Sequence, residues 1–272
     1  DFCLSRGLGD VYKRQAAEVR AALLAKGFWA AFLTRPFGRI PAPDAVPEAI
    51  FVTVTADNPH APDPRVVLAG QHDVFAAGLK AVAFLTDGTV HVCQTHGADI
   101  AAGLGDRIRG AFFPPDGNSG LAGAHIHRLH PVDQGRTVWS IGYQDVLSIG
   151  RLIETGVPDF SRVVAIAGPR ARQPRLLRTI AGASLQELIR DEARPGNHGA
   201  PLCVLSGSAM SGRPASWLGR YHQQVTLLDD ASMHASAPRK GLIARFRGAT
   251  LMPAPLVPTA ALERALAFDV PV

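Results

Sequence analysis

Cysteine is scarce in this chain. Cys3, Cys93 and Cys203 are the only three among 272 residues, and no two stand as a CxxC pair. That argues against a zinc ribbon, an iron–sulfur site or a disulfide scaffold, and it fits a reducing compartment. Long apolar runs are missing too. None approaches the ~20 residues of a membrane-spanning helix, so membrane association would run through a partner or surface contact. Charge is sparse, at 19% of residues with a net +5, and basic residues gather only in small clusters such as Arg170, Arg172, Arg175 and Arg178. No helix interleaves Lys or Arg with aromatics, so nucleic acid is not an expected partner. Nucleotide fingerprints are absent: no GxGxxG opens a helix after a strand, and no GxxxxGKS/T occurs. Gly103-Leu104-Gly105 is too short to cradle a phosphate on successive backbone N–H groups.

The chain does have the makings of a packed core. It is 47% hydrophobic, with 27 Gly and 21 Pro for turns, and its length suggests about two domains. Asp1–Gln15 shares no pattern with the rest of the chain. Its end, Asp10-Val11-Tyr12-Lys13-Arg14-Gln15, reads as an in-frame translation of a transposase adapter used in sequencing libraries. Residues 1–15 are therefore set aside like a tag, Val11–Gln15 is expected to lack packed structure, and the natural start is expected to be missing.

Residues 16–156 read as a Rossmann-like α/β domain with a parallel sheet. Ala16–Lys26 has helical spacing, with Gly27 as its C-cap. Gly27–Pro43 mixes Phe28, Trp29, Phe32 and Phe37 with Arg35 and Arg39, and Pro36, Pro41 and Pro43 make its second half an extended loop. This stretch either faces a ligand or partner, or its aromatics fill the core. Ala49–Thr55 is a β-branched strand running into a turn-rich loop. Asp57, Asn58 and His60 there are candidate site residues, because ligands of open α/β sheets gather at strand carboxyl ends; Asx turns are the plainer account of Asp57 and Asn58. Gln71–Leu85 forms a helix with Val74, Phe75, Leu79 and Val82 on one face, and Thr89–Gln94 is the next strand. Strand, helix, strand is a βαβ unit. Cys93 belongs to a buried strand rather than to a nucleophile.

Phe112–Gly123 reads as a Pro/Gly loop. In Gly123–Gly150, His125 and His127 alternate in an extended segment, facing one side with His130 on the other. Histidines can ligate zinc, but no third ligand or spaced carboxylate is evident, so hydrogen-bonded structural roles are expected and no metal site is assigned. Thr137–Ile141 is a strand, Gly142-Tyr143 a turn, and Gln144–Glu154 a helix burying Val146, Leu147, Ile149 and Ile153. Gly150 within it suggests close helix packing.

Residues 157–215 read as a β-grasp (soluble-ligand-binding) domain. Arg162–Ala167 and Arg175–Thr179 are strands, Ser184 with Glu187 is a capping box opening a helix, and Pro201–Ser206 is a third strand. No histidine–acid pair is fixed near Ser206, Ser208 or Ser211, so hydrolase chemistry is not supported. Residues 216–272 form a β-rich tail with strands at Tyr221–Leu228 and Gly241–Phe246, expected to be truncated.

Several runs resemble the A subunit of the bacterial Na+-translocating NADH:quinone reductase. They are GFWAAFLTRPFGRIP, IFVTVTADNP, TVHVCQ, GAHIHRLHPVD, TVWSIGYQDVLSIGRLIETG, RVVAIAGPRARQPRLLRTIAGASLQEL, SGSAMSGR and LGRYHQQVTLL, with the tail LVPTAALERALAFDV. The resemblance implies a peripheral subunit, without a transmembrane segment, on the cytoplasmic face of the inner membrane. Its partners would be the other subunits of a complex that passes electrons from NADH to ubiquinone and exports Na+. It implies no tightly bound cofactor, and a fold similar to the flavin-binding subunit of respiratory complex I. That relative has a glycine-rich flavin loop where this sequence has Gly27-Phe28-Trp29 and Arg35-Pro36-Phe37. The resemblance further implies quinone-proximal roles for Phe28, Trp29, Arg35 and Phe37, since a quinone head needs a flat apolar wall and a polar donor. It moves the expected ligand contact there and leaves the histidines of Gly123–Gly150 bracing a loop. The family's N-terminal domain and C-terminal segment have no counterpart here, and the region between Leu228 and Leu262 is shorter than the family pattern. A stand-alone flavin or nicotinamide enzyme and a non-respiratory β-grasp ligand-binding protein are the alternatives.

Overall fold

A computed structural model describes residues 15–229, apart from 57, 96, 116–119, 133–134 and 197–198. Of the adapter-like residues 1–15, all but Gln15 lie outside the described residues, as do the strand expected at Gly241–Phe246 and the LVPTAALERALAFDV tail; Gln15, expected to lack packed structure, is instead the first residue of a helix. The chain divides into two compact units, one holding residues up to 57 and 63–161, the other 58–62 and 162 onward.

The first unit opens with helix α1, residues 15–25. Gly27 follows it at φ +77, a left-handed backbone that ends the helix as a Gly cap should. After a 3-10 turn at Trp29–Ala31 come β1 (Leu33–Arg35), β2 (Ala49–Val54), α2 (Pro64–Leu68), α3 (His72–Ala83), β3 (Thr89–Gln94), β4 (Ile108–Phe112), α4 (Ala122–Leu129), β5 (Val138–Gly142) and α5 (Tyr143–Thr155). The sheet order is β1-β5-β2-β3-β4. β2 pairs parallel with both β3 and β5, β4 runs parallel to β3, and β1 is antiparallel to β5 at the edge. The strands β2, β3 and β5 are apolar and buried along most of their length, as strands covered on both faces must be. The parallel α/β reading is correct.

Gly150 packs as its position suggests. A Cβ there would collide with the backbone carbonyl of Val74 in α3, and one at Gly78 would collide with that of Val146 in α5. The two helices therefore touch backbone to backbone. Val146, Leu147 and Ile149 are buried, but Ile153 is 45% exposed, at the solvent edge of the helix. Gly142-Tyr143 makes no separate turn: β5 passes at Gly142 directly into α5, and Tyr143 is the first helical residue.

The histidine segment is a helix, not an extended run. In α4 two residues of advance turn the side chain by about 200°, so His125 and His127 part rather than share a side. His125 is fully buried and tilts against Phe113 at 4.2 Å between rings, whereas His127 is exposed. Ile126 joins Ala49, Phe51, Cys93, Phe113 and Val138 in the cluster beneath α4.

The second unit contains β6 (Ser161–Ala167, whose first residue lies in the first unit), β7 (Arg175–Ile180), α6 (Leu185–Leu188), β8 (Leu202–Ser206), β9 (Arg213–Pro214) and β10 (Gln224–Asp229). The order is β7-β6-β10-β8-β9, with β6 and β10 parallel in the middle. First and last strands side by side in parallel at the centre, with β8 antiparallel to β10, is the β-grasp arrangement. β10 thus belongs to the centre of this sheet and not to a separate segment beginning at residue 216. Ser184 caps α6 by accepting from the Glu187 N–H at 3.4 Å. Val164, Ile166, Val225, Leu227, Leu185 and Leu218 form the core.

Candidate functional site

The stretch after α1 is built on the first unit's edge. Phe28 and Trp29 sit at the 3-10 turn, 1% and 5% exposed. Phe28 stacks on Phe160 with centroids 4.8 Å apart. Trp29 meets Trp139 edge-on at 5.4 Å, and Phe32 lies 5.5 Å from the same indole. These aromatics fill the core. Trp139, buried completely, is a residue that sequence reasoning does not single out. Its place in the Thr137–Ile141 strand is the available signal, since alternation sends every second side chain to one face.

The chain then turns outward. β1 ends at Arg35, whose peptide bond to Pro36 is cis. Thr34 closes the turn: its N–H donates to the Arg39 carbonyl at 2.7 Å, its own carbonyl accepts from the Gly38 N–H at 2.7 Å, and its hydroxyl accepts from the Arg39 N–H at 3.1 Å. Gly38 supplies the left-handed residue at φ +63. Phe37 stands at the tip, 70% exposed. The loop beyond is latched from behind. Trp29 Nε1 donates to the Pro41 carbonyl at 2.8 Å, and the Arg20 guanidinium donates to the carbonyls of Pro43 at 2.6 Å and Ala45 at 2.8 Å while lying 5.2 Å from the Trp29 ring centre. The four residues expected to be quinone-proximal therefore divide: Phe28 and Trp29 lie inside, Arg35 is half-buried at the end of β1, and Phe37 stands at the surface.

The carboxyl ends of β2 and β5 form the other candidate place, because the strand order reverses between them. Their polar groups are already engaged. Thr55 Oγ1 donates to the Gly120 carbonyl at 2.7 Å, and Gln144 Nε2 reaches the Tyr143 hydroxyl at 3.3 Å. At the end of β3, Gln94 Nε2 donates to the Ala98 carbonyl at 2.8 Å. The first turn of α5 carries Asp145, buried, so the positive helix end already faces a carboxylate. Asp57 lies outside the described residues. Asn58 and His60 belong to the 58–62 segment of the second unit, where Asn58 Oδ1 accepts from Ser208 Oγ at 2.8 Å and Ser211 Oγ at 3.2 Å, and His60 takes φ +65.

Ser206 does meet a histidine that sequence spacing leaves open: its Oγ lies 2.8 Å from His222 Nδ1. Ser206 is fully buried, and its oxygen accepts the Gly219 N–H at 2.8 Å. The pair braces the loop rather than presenting a nucleophile. Burial pushes the Cys93 thiol up to about 12, which keeps it protonated and inert. His130 Nε2 lies 3.0 Å from Glu48 Oε2. Among the described residues, no group of three or more His, Cys, Asp and Glu is placed to hold a metal ion, and no helix is long and apolar enough to cross a membrane.

Comparison with known proteins adds the family. The model of the NqrA second alpha/beta domain matches residues 14–158, and that of the NQRA C-terminal domain matches residues 163–216. The A subunit of the Na(+)-translocating NADH-quinone reductase of Shewanella amazonensis is 46% identical over 219 residues, covering 79% of this chain and 48% of that protein. Its counterparts from Shewanella frigidimarina and Rhodopirellula baltica are 48% identical over 219 residues and 45% over 208, covering 79% and 75% of this chain and 48% and 45% of those proteins. The chain thus spans about half the length of the curated relatives it matches. Among solved structures, a chain of the NAD+-reducing NiFe-hydrogenase in the air-oxidized state aligns with TM-score 0.53 at 16% identity, over 80% of this chain and 48% of that one. At that identity the likeness is one of fold.

Proposed function

This chain belongs to the NqrA family, and from that premise we propose that it serves as part of the A subunit of a Na+-translocating NADH:quinone reductase. In that role it is a peripheral component at the cytoplasmic face of the bacterial inner membrane. It supports the assembly of the complex and the delivery of electrons from NADH to ubiquinone, without holding a redox group itself. The observation that carries this reading is the succession of two family models along the chain in the family's order.

The chemistry of the first unit is consistent with a subunit free of tightly bound nucleotide. A phosphate drawn to the amino end of α5 would meet the Asp145 carboxylate, and Tyr143 and Gln144 at that end are buried. For quinone, Phe37 offers an exposed ring and Arg35 a half-buried cation, while Phe28 and Trp29 lie in the core. A quinone carbonyl would accept from the guanidinium while the ring covers the head.

Copurification tests the reading. The full chain, expressed with membranes of a host carrying the partner subunits, is expected to pull down a flavin-containing complex with Na+-stimulated quinone reductase activity. Purified chain carrying flavin, or binding NADH tightly, would instead favour the alternative of a stand-alone oxidoreductase. Loss of quinone-analogue labelling in Phe37→Ala but not in Cys93→Ala is the expected site-level result; equal labelling in both removes Phe37 from the site.

A further inference from the structure

We propose that the turn from Arg35 to Ile40 is a lipid-contact site that seats on an anionic bilayer surface. Phe37 and Ile40 would enter the boundary between headgroups and acyl chains, while Arg35 and Arg39 pair with lipid phosphates. Phe37 is 70% exposed and Ile40 53%, three residues apart at the end of a tight turn. Arg39 between them is exposed, and no acidic residue occurs from Arg35 to Pro43. Behind the ring, Arg35 is half-buried, and its Nε is enclosed yet finds no acceptor. An apolar tip with flanking cations fits a surface that is oily below and negatively charged above.

The turn is also prepared for docking. The Thr34 bonds close it, and the Trp29–Pro41, Arg20–Pro43 and Arg20–Ala45 hydrogen bonds hold its base. Phe37 is therefore presented with little backbone freedom left to lose on binding. A zwitterionic surface would gain only the apolar contact, which makes negative lipid charge the selecting feature.

This inference rests on the peripheral-subunit reading, and its test uses vesicles without any partner subunit. The purified full chain is mixed with vesicles of phosphatidylcholine alone or of phosphatidylcholine with phosphatidylglycerol, and bound protein is read by sedimentation. Binding is expected on the phosphatidylglycerol vesicles, to fall as NaCl rises, and to be much weaker on phosphatidylcholine alone. Phe37→Ser should lower partitioning about ten-fold and Arg39→Gln about five-fold, with unchanged circular dichroism. Phe37→Trp should retain or strengthen it, because Trp favours the interface. Equal binding to both vesicle types, or parent-like binding by the Phe37→Ser/Arg39→Gln double variant, would overturn the site. A parent chain that ignores vesicles yet still copurifies with the reductase would overturn the lipid contact alone. If the double variant also lost copurification, the turn would be assigned to a protein partner instead.

Discussion

In the first unit, β2 and β5 are buried on both faces, β3 is buried except at Thr89 and His91, and α3 meets α5 with backbone touching backbone at Gly78 and Gly150. In the second, β7 is half exposed along its length, and α6, which caps the core, is a single turn. Directional pairs supplement that thinner cover. Arg170 donates to the Arg194 carbonyl at 2.7 Å, to the Ala200 carbonyl at 3.2 Å and to Asp229 Oδ1 at 2.5 Å, and Arg175 holds Glu192 through two bonds of 2.6 and 2.5 Å. The contrast teaches where each unit is vulnerable. A covered parallel sheet is sensitive to volume, since nothing in it can move aside. A thinly covered β-grasp is sensitive to charge, because removing one partner strands the other away from water.

The largest test of that contrast is at Gly150. Gly150→Leu should cost more than about 4 kcal/mol, because α3 and α5 must separate. Gly150→Ala is the sharper variant. Helix propensity alone favours Ala by ~1 kcal/mol, whereas the collision with the Val74 carbonyl predicts a net loss; urea unfolding gives the sign. A stabilised Gly150→Ala would break the volume argument. Next in size is Arg170→Leu, at about 3 kcal/mol, since Asp229 and two carbonyls lose their donor. Hydrogen exchange should show the loss in β6, β8 and β10 while β2 and β3 keep their protection. Equal loss in both sheets would erase the contrast.

How legible these regions are in the sequence follows the same physics. β2 stands out because a strand buried on both faces is a nearly continuous apolar run, and Thr89–Gln94, rich in β-branched residues, is legible to the residue. Gly150 is legible because a glycine inside an apolar helix needs a packing reason. β4 escapes: IRGAF is short and mostly half-buried or exposed, and its pairing with β3 supplies what its own residues do not. β1 is hidden by Pro36 directly after it, although the three residues before that proline pair with β5. α4 misleads because His-x-His imitates a period of two, while Ile126 and the fully buried His125 show which face is inward. At the candidate site, residue types alone do not separate Phe28 and Trp29 from Arg35 and Phe37. Burial divides them, and it depends on Trp139 against Trp29 and Phe160 against Phe28, both more than a hundred positions away along the chain.

The smallest effect probes the covered sheet by charge rather than volume. His91 lies on β3, stacked on Phe51 at 4.8 Å between rings. Burial lowers its pKa to about 4, with His130 and Arg109 adding repulsion. In the unfolded chain the ring titrates near 6.5, so between those values the unfolded state binds a proton that the folded state refuses. Stability should therefore fall as pH drops from about 6.5 to about 4 and be untouched by this group above that window. Because the ring is only partly enclosed, solvent screening should hold the effect to on the order of 1 kcal/mol. Urea midpoints of the parent and His91→Gln at pH 7 and pH 4.5 measure it: the parent should lose more than the variant on acidification. An identical loss in both would mean that His91 is hydrated in the fold, and that the sheet's cover is looser over Phe51 than over the helix crossing at Gly150.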